Sequence, residues 1–139
     1  MPEITSEQRQ WLKDHSLCVF ATGRKDGSPQ QSYIGYQFDG SQFLLGGGAT
    51  SFKMKNLVRQ PRCSLSITDG RGYVVIYGRA ELVSDPAEME KLQARFGPRA
   101  APPRPAGAAP ATAPPPRPMG SRVNILFTPE KVIANRMTG

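Results

Sequence analysis

Apolar and polar positions in the first half of the chain predict one short helix and three strands. Thr5 and Gln8 have capping-box spacing ahead of an apolar pair, which predicts a helix over residues 5–15. Asp-Gly turns at Asp26 and Asp39 then separate apolar stretches that are typical of strands. These predicted strands cover residues 17–22, 29–38 and 41–45. The first half is therefore predicted to be an antiparallel meander.

The second half begins at Gly46-Gly47-Gly48, which we predict to end the third strand. A helix is predicted from a cap at Thr50 or Ser51 to about Arg59, where Pro61 stops it. Residues 62–68 alternate between apolar and polar, as a half-buried strand does. Residues 73–83 form a longer predicted strand with a bend or bulge at Gly78.

The last predicted elements lie on either side of a low-complexity segment. Asp85-Pro86 with Glu88 marks a helix start, and Gly97 marks its end. A strand is predicted over residues 122–127, and Pro129 is predicted to begin a last short element. The segment between them, 98–120, is rich in Pro and Ala and is predicted to be a disordered, solvated loop.

About six strands with a helix between the third and the fourth predict a mainly β fold with short helices, in the α+β class. A six-stranded antiparallel barrel fits best, because a meander hides its edges by closing. We treat residues 1–139 as a single domain that the Pro/Ala loop interrupts. Ile34 and Phe38 are predicted to be exposed apolar positions, which favours a homodimer.

Composition narrows the function classes. The net charge is +7, although Arg99, Arg104 and Arg117 lie in the Pro/Ala segment, and this charge suggests an anionic partner. The apolar runs are too short for a bilayer span of about 20 residues, and the N-terminus lacks the apolar region of a signal peptide. Cys18 and Cys63 are predicted to be buried free thiols. We therefore predict a cytoplasmic protein without a membrane partner.

The most informative stretch for chemistry is GGGATSFKMKNLVRQP, residues 46–61. A glycine turn that leads into a helix N-terminus offers free backbone N–H groups and a favourable dipole to an anion. Ser51 adds a hydroxyl, Lys53 and Lys55 add charge, and Asn56 adds a donor one turn later. The Walker pattern GxxxxGK[ST] is absent. On local grounds the alternative is a connector with a solvated basic face.

The order of these motifs resembles the split β-barrel flavin and deazaflavin proteins related to pyridoxamine 5′-phosphate oxidase. The resemblance covers about residues 12–133, except the Pro/Ala loop. Its pieces are specific only as a set, and they read LCVFATGRKDGSP, QQSYIGYQFDG, KMKNLVRQPRCSLSI, YVVIYGRAELVSDP and SRVNILFTPEKV. The chain departs from the pattern at the three glycines and at the Pro/Ala loop.

This resemblance implies an FMN-binding split barrel that forms a homodimer with two cofactor sites at the subunit interface. The motif KxxNLxxxP in so short a chain is similar to the branch that uses coenzyme F420, with FMN as the alternative. By the same similarity Lys53 matches the lysine that binds the cofactor phosphate. Thr50, Ser51, Lys55 and Asn56 fall in the same anion site. The strand that flanks the ring system contributes Ser32, Tyr33 and Tyr36.

No protein group is predicted to be catalytic. The chain has a single histidine, His15, and shows no Ser/His/Asp arrangement, metal-ligand cluster or paired-carboxylate signature. This fits an enzyme whose cofactor carries the chemistry. We therefore predict an oxidoreductase that reduces a small conjugated substrate by hydride transfer. The alternatives are a protein that binds or stores a flavin, deazaflavin or tetrapyrrole without turnover and, less favoured because the basic residues are scattered, a barrel that binds single-stranded nucleic acid.

Overall fold

The computed structural model describes residues 3–97 and 122–135, and the predicted loop at 98–120 lies outside these ranges. The described residues form three α-helices and seven β-strands. In chain order these are α1 Ser6–Asp14, β1 Leu17–Gly23, β2 Pro29–Gly35, β3 Gln37–Phe38, β4 Phe43–Gly48, α2 Phe52–Arg59, β5 Arg62–Asp69, β6 Gly72–Val83, α3 Pro86–Phe96 and β7 Arg122–Asn135.

All seven strands belong to one antiparallel sheet in the order β2-β1-β5-β6-β7-β4-β3. β2 and β3 lie at opposite ends of this order, yet only Tyr36 separates them in the chain. The sheet must therefore curl until its two edges approach each other, which makes a split half-barrel. The predicted fold class is confirmed. Seven strands replace the predicted six because the strand predicted over 29–38 divides at Tyr36.

Helix boundaries follow the capping signals in the sequence. At α1 the Gln8 amide donates to Thr5 Oγ1 at 3.1 Å, and the Thr5 amide donates to Gln8 Oε1 at 3.0 Å. At α3 the Glu88 amide donates to the Asp85 carboxylate at 3.0 Å, and the helix ends at Gly97, whose φ is 83°. Both predicted caps are confirmed, because each depends on residues within three or four positions of one another.

Two strands run further than predicted. β4 does not end at Leu45 but continues through all three glycines, and Gly46, Gly47 and Gly48 pair with Asn124, Val123 and Arg122 of β7. Nor does β7 end before Pro129, because the register shift at Tyr77/Gly78 of β6 brings Gly78 opposite this proline. A bulge tolerates a residue that has no N–H, so one strand continues to Asn135.

Strand alternation divides β4 between two faces. Phe43, Leu45 and Gly47 are buried on the inner face, where Phe43 packs edge-on against Phe127 with ring centroids 5.8 Å apart. Leu44, Gly46 and Gly48 point outward by the same alternation. Ile34 and Phe38, which the sequence predicted to be exposed, are half-buried and pack against the core. They therefore expose less apolar surface than the sequence predicted, and the homodimer stays a prediction.

Burial also determines the protonation state of the two thiols. Cys18 and Cys63 are both free and buried, and desolvation raises the pKa of each to about 12. Both are therefore neutral near pH 7 and behave as small apolar core residues. No helix among the described residues is long and apolar enough to cross a membrane. The cytoplasmic location stays a prediction.

Candidate functional site

The start of α2 has the features that an anion needs. Ser51 is the N-cap residue, but its side chain makes no capping hydrogen bond. Its Oγ is the one buried side-chain polar atom without a hydrogen-bond partner among residues 3–97 and 122–135. The first turn contains no acidic residue that would compete for the backbone N–H groups. An incoming anion could therefore accept from this hydroxyl and from the first-turn amides.

Lys53 lies across the inner face of β4 at Gly47. A Cβ atom at Gly47 would stand 2.6 Å from Lys53 Cε and 3.1 Å from its Nζ. The lysine can occupy this position only because residue 47 has no side chain. The glycine run that departs from the family pattern thus has a local role, since it lets a cationic side chain lie flat beside the N-terminus of α2.

The other predicted anion-site residues of α2 differ in exposure. Lys55 is exposed, and its Nζ stands 5.6 Å from the ring centroid of Phe52, a side chain that is itself 75% exposed. Thr50 is exposed in the turn before the helix and is not its cap. Lys53 by contrast is half-buried. The structure therefore favours Lys53 over Lys55 as the fixed cation of the site.

Asn56 points into the protein and begins a chain of hydrogen bonds that reaches β2. Its Nδ2 donates to Thr22 Oγ1 at 3.1 Å, and this hydroxyl donates to Gln30 Oε1 at 3.0 Å. Gln30 Nε2 then donates to Ser32 Oγ at 3.0 Å. Thr22 and Asn56 are the buried polar residues of the described core. The chain therefore fixes α2, β1 and β2 relative to one another.

Arg59, one turn after Asn56, closes this arrangement from the helix side. Its Nη2 donates to Asn56 Oδ1 at 3.2 Å and to the Gly23 carbonyl at 2.7 Å. Sequence reasoning missed Arg59, Thr22 and Gln30. The signal for Thr22 was present, since it is a polar residue at an inward position of an otherwise apolar strand. The partners of Thr22 could not be found without the strand register.

The residues predicted to flank the cofactor ring separate into two groups. Ser32 is half-buried at the end of the hydrogen-bond chain, and Tyr33 is 70% exposed on the neighbouring position of β2. Tyr36 is instead buried in the core, where its hydroxyl donates to the Leu12 carbonyl at 2.7 Å. Burial raises the pKa of Tyr36. Because its side chain is buried and hydrogen-bonded within the core, we do not include Tyr36 in the site.

Comparison with known proteins identifies the family of the chain. The family model described as pyridoxamine 5′-phosphate oxidase matches residues 4–135. The chain belongs to the pyridoxamine 5′-phosphate oxidase family. An F420 reductase of known structure is similar to this family member at 26% identity, with a TM-score of 0.64 and with 96% of this chain and 98% of that chain covered.

A second solved structure shares the fold of this pyridoxamine 5′-phosphate oxidase family member. It is a conserved hypothetical protein from Mycobacterium tuberculosis, at 22% identity and a TM-score of 0.69, with 96% of this chain and 85% of that chain covered. At this identity the likeness supports the split-barrel fold alone. The family assignment therefore gives the architecture, and the residues around α2 must supply the argument for a ligand.

Proposed function

We propose that this protein is an oxidoreductase that uses reduced coenzyme F420, with FMN as the alternative cofactor, to reduce a small conjugated substrate by hydride transfer. One observation carries the proposal. Lys53 lies over Gly47 beside a helix N-terminus where Ser51 Oγ is buried without a partner. A phosphate group would supply the missing acceptor and pair with the lysine. Both F420 and FMN contain such a phosphate.

The F420 reductase similarity supports the choice between the two cofactors. That protein, whose name gives F420 as its cofactor, matches this chain over nearly the full length of both. The described residues also hold no group of three His, Cys, Asp or Glu side chains that could bind a metal ion. A reduced deazaflavin or flavin supplies the hydride when it is bound.

The protein's own residues would then bind the cofactor and position its ring system. Lys53 and the first-turn amides of α2 hold the phosphate. The chain from Asn56 through Thr22 and Gln30 fixes the spacing between that helix and Ser32 of β2. Because β2 would flank the ring system, this spacing determines where the ring lies relative to the phosphate. No nucleophile from the protein is needed in this scheme.

The proposal includes a homodimer that completes the cofactor site. A row of neighbouring residues crosses the outer face of five strands, in the order Tyr33, Val19, Ser66, Val75 and Ile133. Tyr33 is 70% exposed and Ile133 is 41% exposed. A row this wide that is apolar except for Ser66 is typical of a sheet face that packs against another subunit. It replaces the half-buried Ile34 and Phe38 as the basis for the dimer.

A direct titration tests the cofactor assignment. The purified protein would be titrated with F420 and with FMN at the same ionic strength, and cofactor fluorescence would be followed. We expect saturable binding of F420 and weaker binding of FMN. In Gly47→Ala the new methyl group displaces the end of Lys53 and also presses on Cε of the buried Met54, so affinity should fall at a modest cost in stability. Failure of both cofactors to bind would overturn the proposal.

A further inference from the structure

A second cleft lies on the other side of β4, between α3 and the outer face of the sheet. We call it the α3 cleft. Its volume is about 280 Å³, and Leu44 and Gly46 form its floor on β4 while Met89 faces them from α3. Lys53 lies on the inner face of β4 and does not line it. The cleft is therefore separated by a strand from the proposed phosphate site.

Helix α3 forms one wall of the cleft. No residue of α3 is fully buried. Polar contacts hold its C-terminal end, where Arg95 Nη2 donates to Asp39 Oδ2 at 2.7 Å and Gln37 Nε2 donates to the Gly97 carbonyl at 2.8 Å. Closer to the start of the helix, Met89 and Glu90 face the sheet across the cleft.

The charged group of the α3 cleft is the guanidinium of Arg122, which lies beside Gly46. A Cβ atom at Gly46 would stand 3.2 Å from Arg122 Nη2 and 4.0 Å from Asn124 Oδ1. The guanidinium of Arg122 therefore lies along the strand over the glycine, inside the cleft that it lines. The glycine run thus accommodates two cations, Lys53 on one face of β4 and Arg122 on the other.

We propose that the α3 cleft binds a small organic carboxylate with an apolar body. A guanidinium binds a planar carboxylate through two parallel hydrogen bonds. Asn124 lines the same cleft, and its amide can orient the carboxylate, while Leu44 and Met89 offer apolar contact to the rest of the molecule.

Glu90 restricts the class of ligand. This residue also lines the cleft, on the α3 side. A neighbouring negative charge opposes an anion, and it opposes a doubly charged one more strongly. The pairing of one guanidinium with one carboxylate therefore favours a monoanion such as a carboxylate over a phosphate dianion. The site needs no cofactor, so it stands or fails separately from the proposed function.

Benzoate is the probe that tests this site, with benzamide and inorganic phosphate as comparisons. Each would be titrated into the full-length protein without cofactor, and amide NMR signals would report the position of binding. We expect benzoate to shift the signals of Gly46 and of the Asn124 side chain in a saturable way. Benzamide and phosphate should bind at least about tenfold more weakly, since each lacks either the charge or the apolar body.

Variants of single residues decide whether Arg122 is responsible. Arg122→Gln should weaken benzoate binding about tenfold or more, whereas Arg71→Gln should leave it unchanged. Arg71 is the matched control because it is exposed in the turn before β6, at the end of that strand that lies away from Arg122. Glu90→Gln should strengthen benzoate binding. Gly46→Ala should weaken it, because the new methyl group moves the guanidinium, and Gly46 is not among the glycines with positive φ.

Three results would overturn the proposal. One is the absence of a saturable shift near Gly46. Another is equal affinity for benzoate and benzamide, which would reduce the cleft to an apolar surface. The third is an equal effect of Arg122→Gln and Arg71→Gln, which would mean that only the overall charge of the protein attracts the anion.

Discussion

Lys53 and Lys55 are two residues apart in α2 but have different surroundings. Lys53 is half-buried over Gly47, and Lys55 is exposed beside Phe52. Positions two apart on a helix point about 200° from each other. The family motif assigns both lysines to one anion site, but this helix geometry separates them, and the structure places only Lys53 on β4.

Lys53→Ala should weaken cofactor binding roughly ten- to a hundredfold, because a charged hydrogen bond contributes about 1.5–3 kcal/mol. Lys55→Ala should have a smaller effect and is the matched control. Fluorescence titration of both variants makes the comparison. Thermal unfolding without cofactor should barely change in Lys55→Ala, where the side chain is exposed, and should change modestly in Lys53→Ala, where a half-buried side chain is removed. Equal and negligible losses of affinity would remove the phosphate from the start of α2.

Thr22 is the residue on which the buried hydrogen-bond chain depends. Thr22→Val keeps the shape of the side chain but removes both the acceptor for Asn56 and the donor to Gln30. We expect the free energy of unfolding to fall by about 1–3 kcal/mol, since buried polar groups lose their partners. Denaturant unfolding measures this loss.

The exposed Thr68→Val in β5 is the matched control for Thr22→Val and should change the unfolding free energy little. Cofactor affinity should also fall in Thr22→Val, because Ser32 and Tyr33 would lose their fixed distance from α2. An unchanged affinity in a clearly destabilised Thr22→Val protein would show that the chain is only structural.

Individual elements were predictable where their signals are local. Thr5, Asp85 and Gly97 mark helix ends through contacts that span a few residues, and all three were placed correctly. The glycines of β4 and Pro129 of β7 were misread, because glycine and proline weaken a strand locally. Pairing with a distant strand outweighs that preference, and the register that provides the pairing is not visible in a single sequence.

The attachment of α3 should depend on pH. Partial burial raises the pKa of Asp39, but the amides of Gln42 and Ser41 and the Arg95 guanidinium outweigh it and lower the pKa below its ordinary value of 3.8. A lowered pKa in the folded state means that the stabilisation is complete above the ordinary value. It is lost as the pH falls through the folded-state value. The protection of α3 amides against hydrogen exchange, measured relative to their intrinsic exchange rate at each pH, should therefore fall in acid.

Asp39→Asn should release the same contact at neutral pH. We expect faster exchange in α3 and a loss of about 1 kcal/mol of unfolding free energy, since the partner Arg95 is partly exposed. Asp26→Asn removes the same charge in the exposed turn between β1 and β2 and should leave α3 unaffected. If α3 exchange were the same in both variants, Asp39 would not hold the helix.

At the scale of the whole molecule, the closing of the sheet was predictable and its outer surface was not. A meander with Asp-Gly turns implies a curled sheet, and the fold confirms it. Which apolar residues remain outside depends on register, so Ile34 and Phe38 were assigned to the surface although they pack on the core. The exposed apolar side chains of the outer sheet face are Tyr33, Tyr77 and Ile133.

Ile133→Glu should separate the proposed dimer. A charge at the end of the apolar row would be buried without a partner in the interface, which is strongly unfavourable, while in the monomer it would stay in water. Light scattering of the unmodified protein should give twice the chain mass of 15.2 kDa. The variant should give the mass of one chain and should bind cofactor more weakly, because each site would lose the residues of the second subunit.

Val58→Glu, which introduces the same charge at an exposed apolar residue of α2, should remain dimeric. An unmodified protein that is monomeric at working concentration would contradict both the interface and the shared cofactor site.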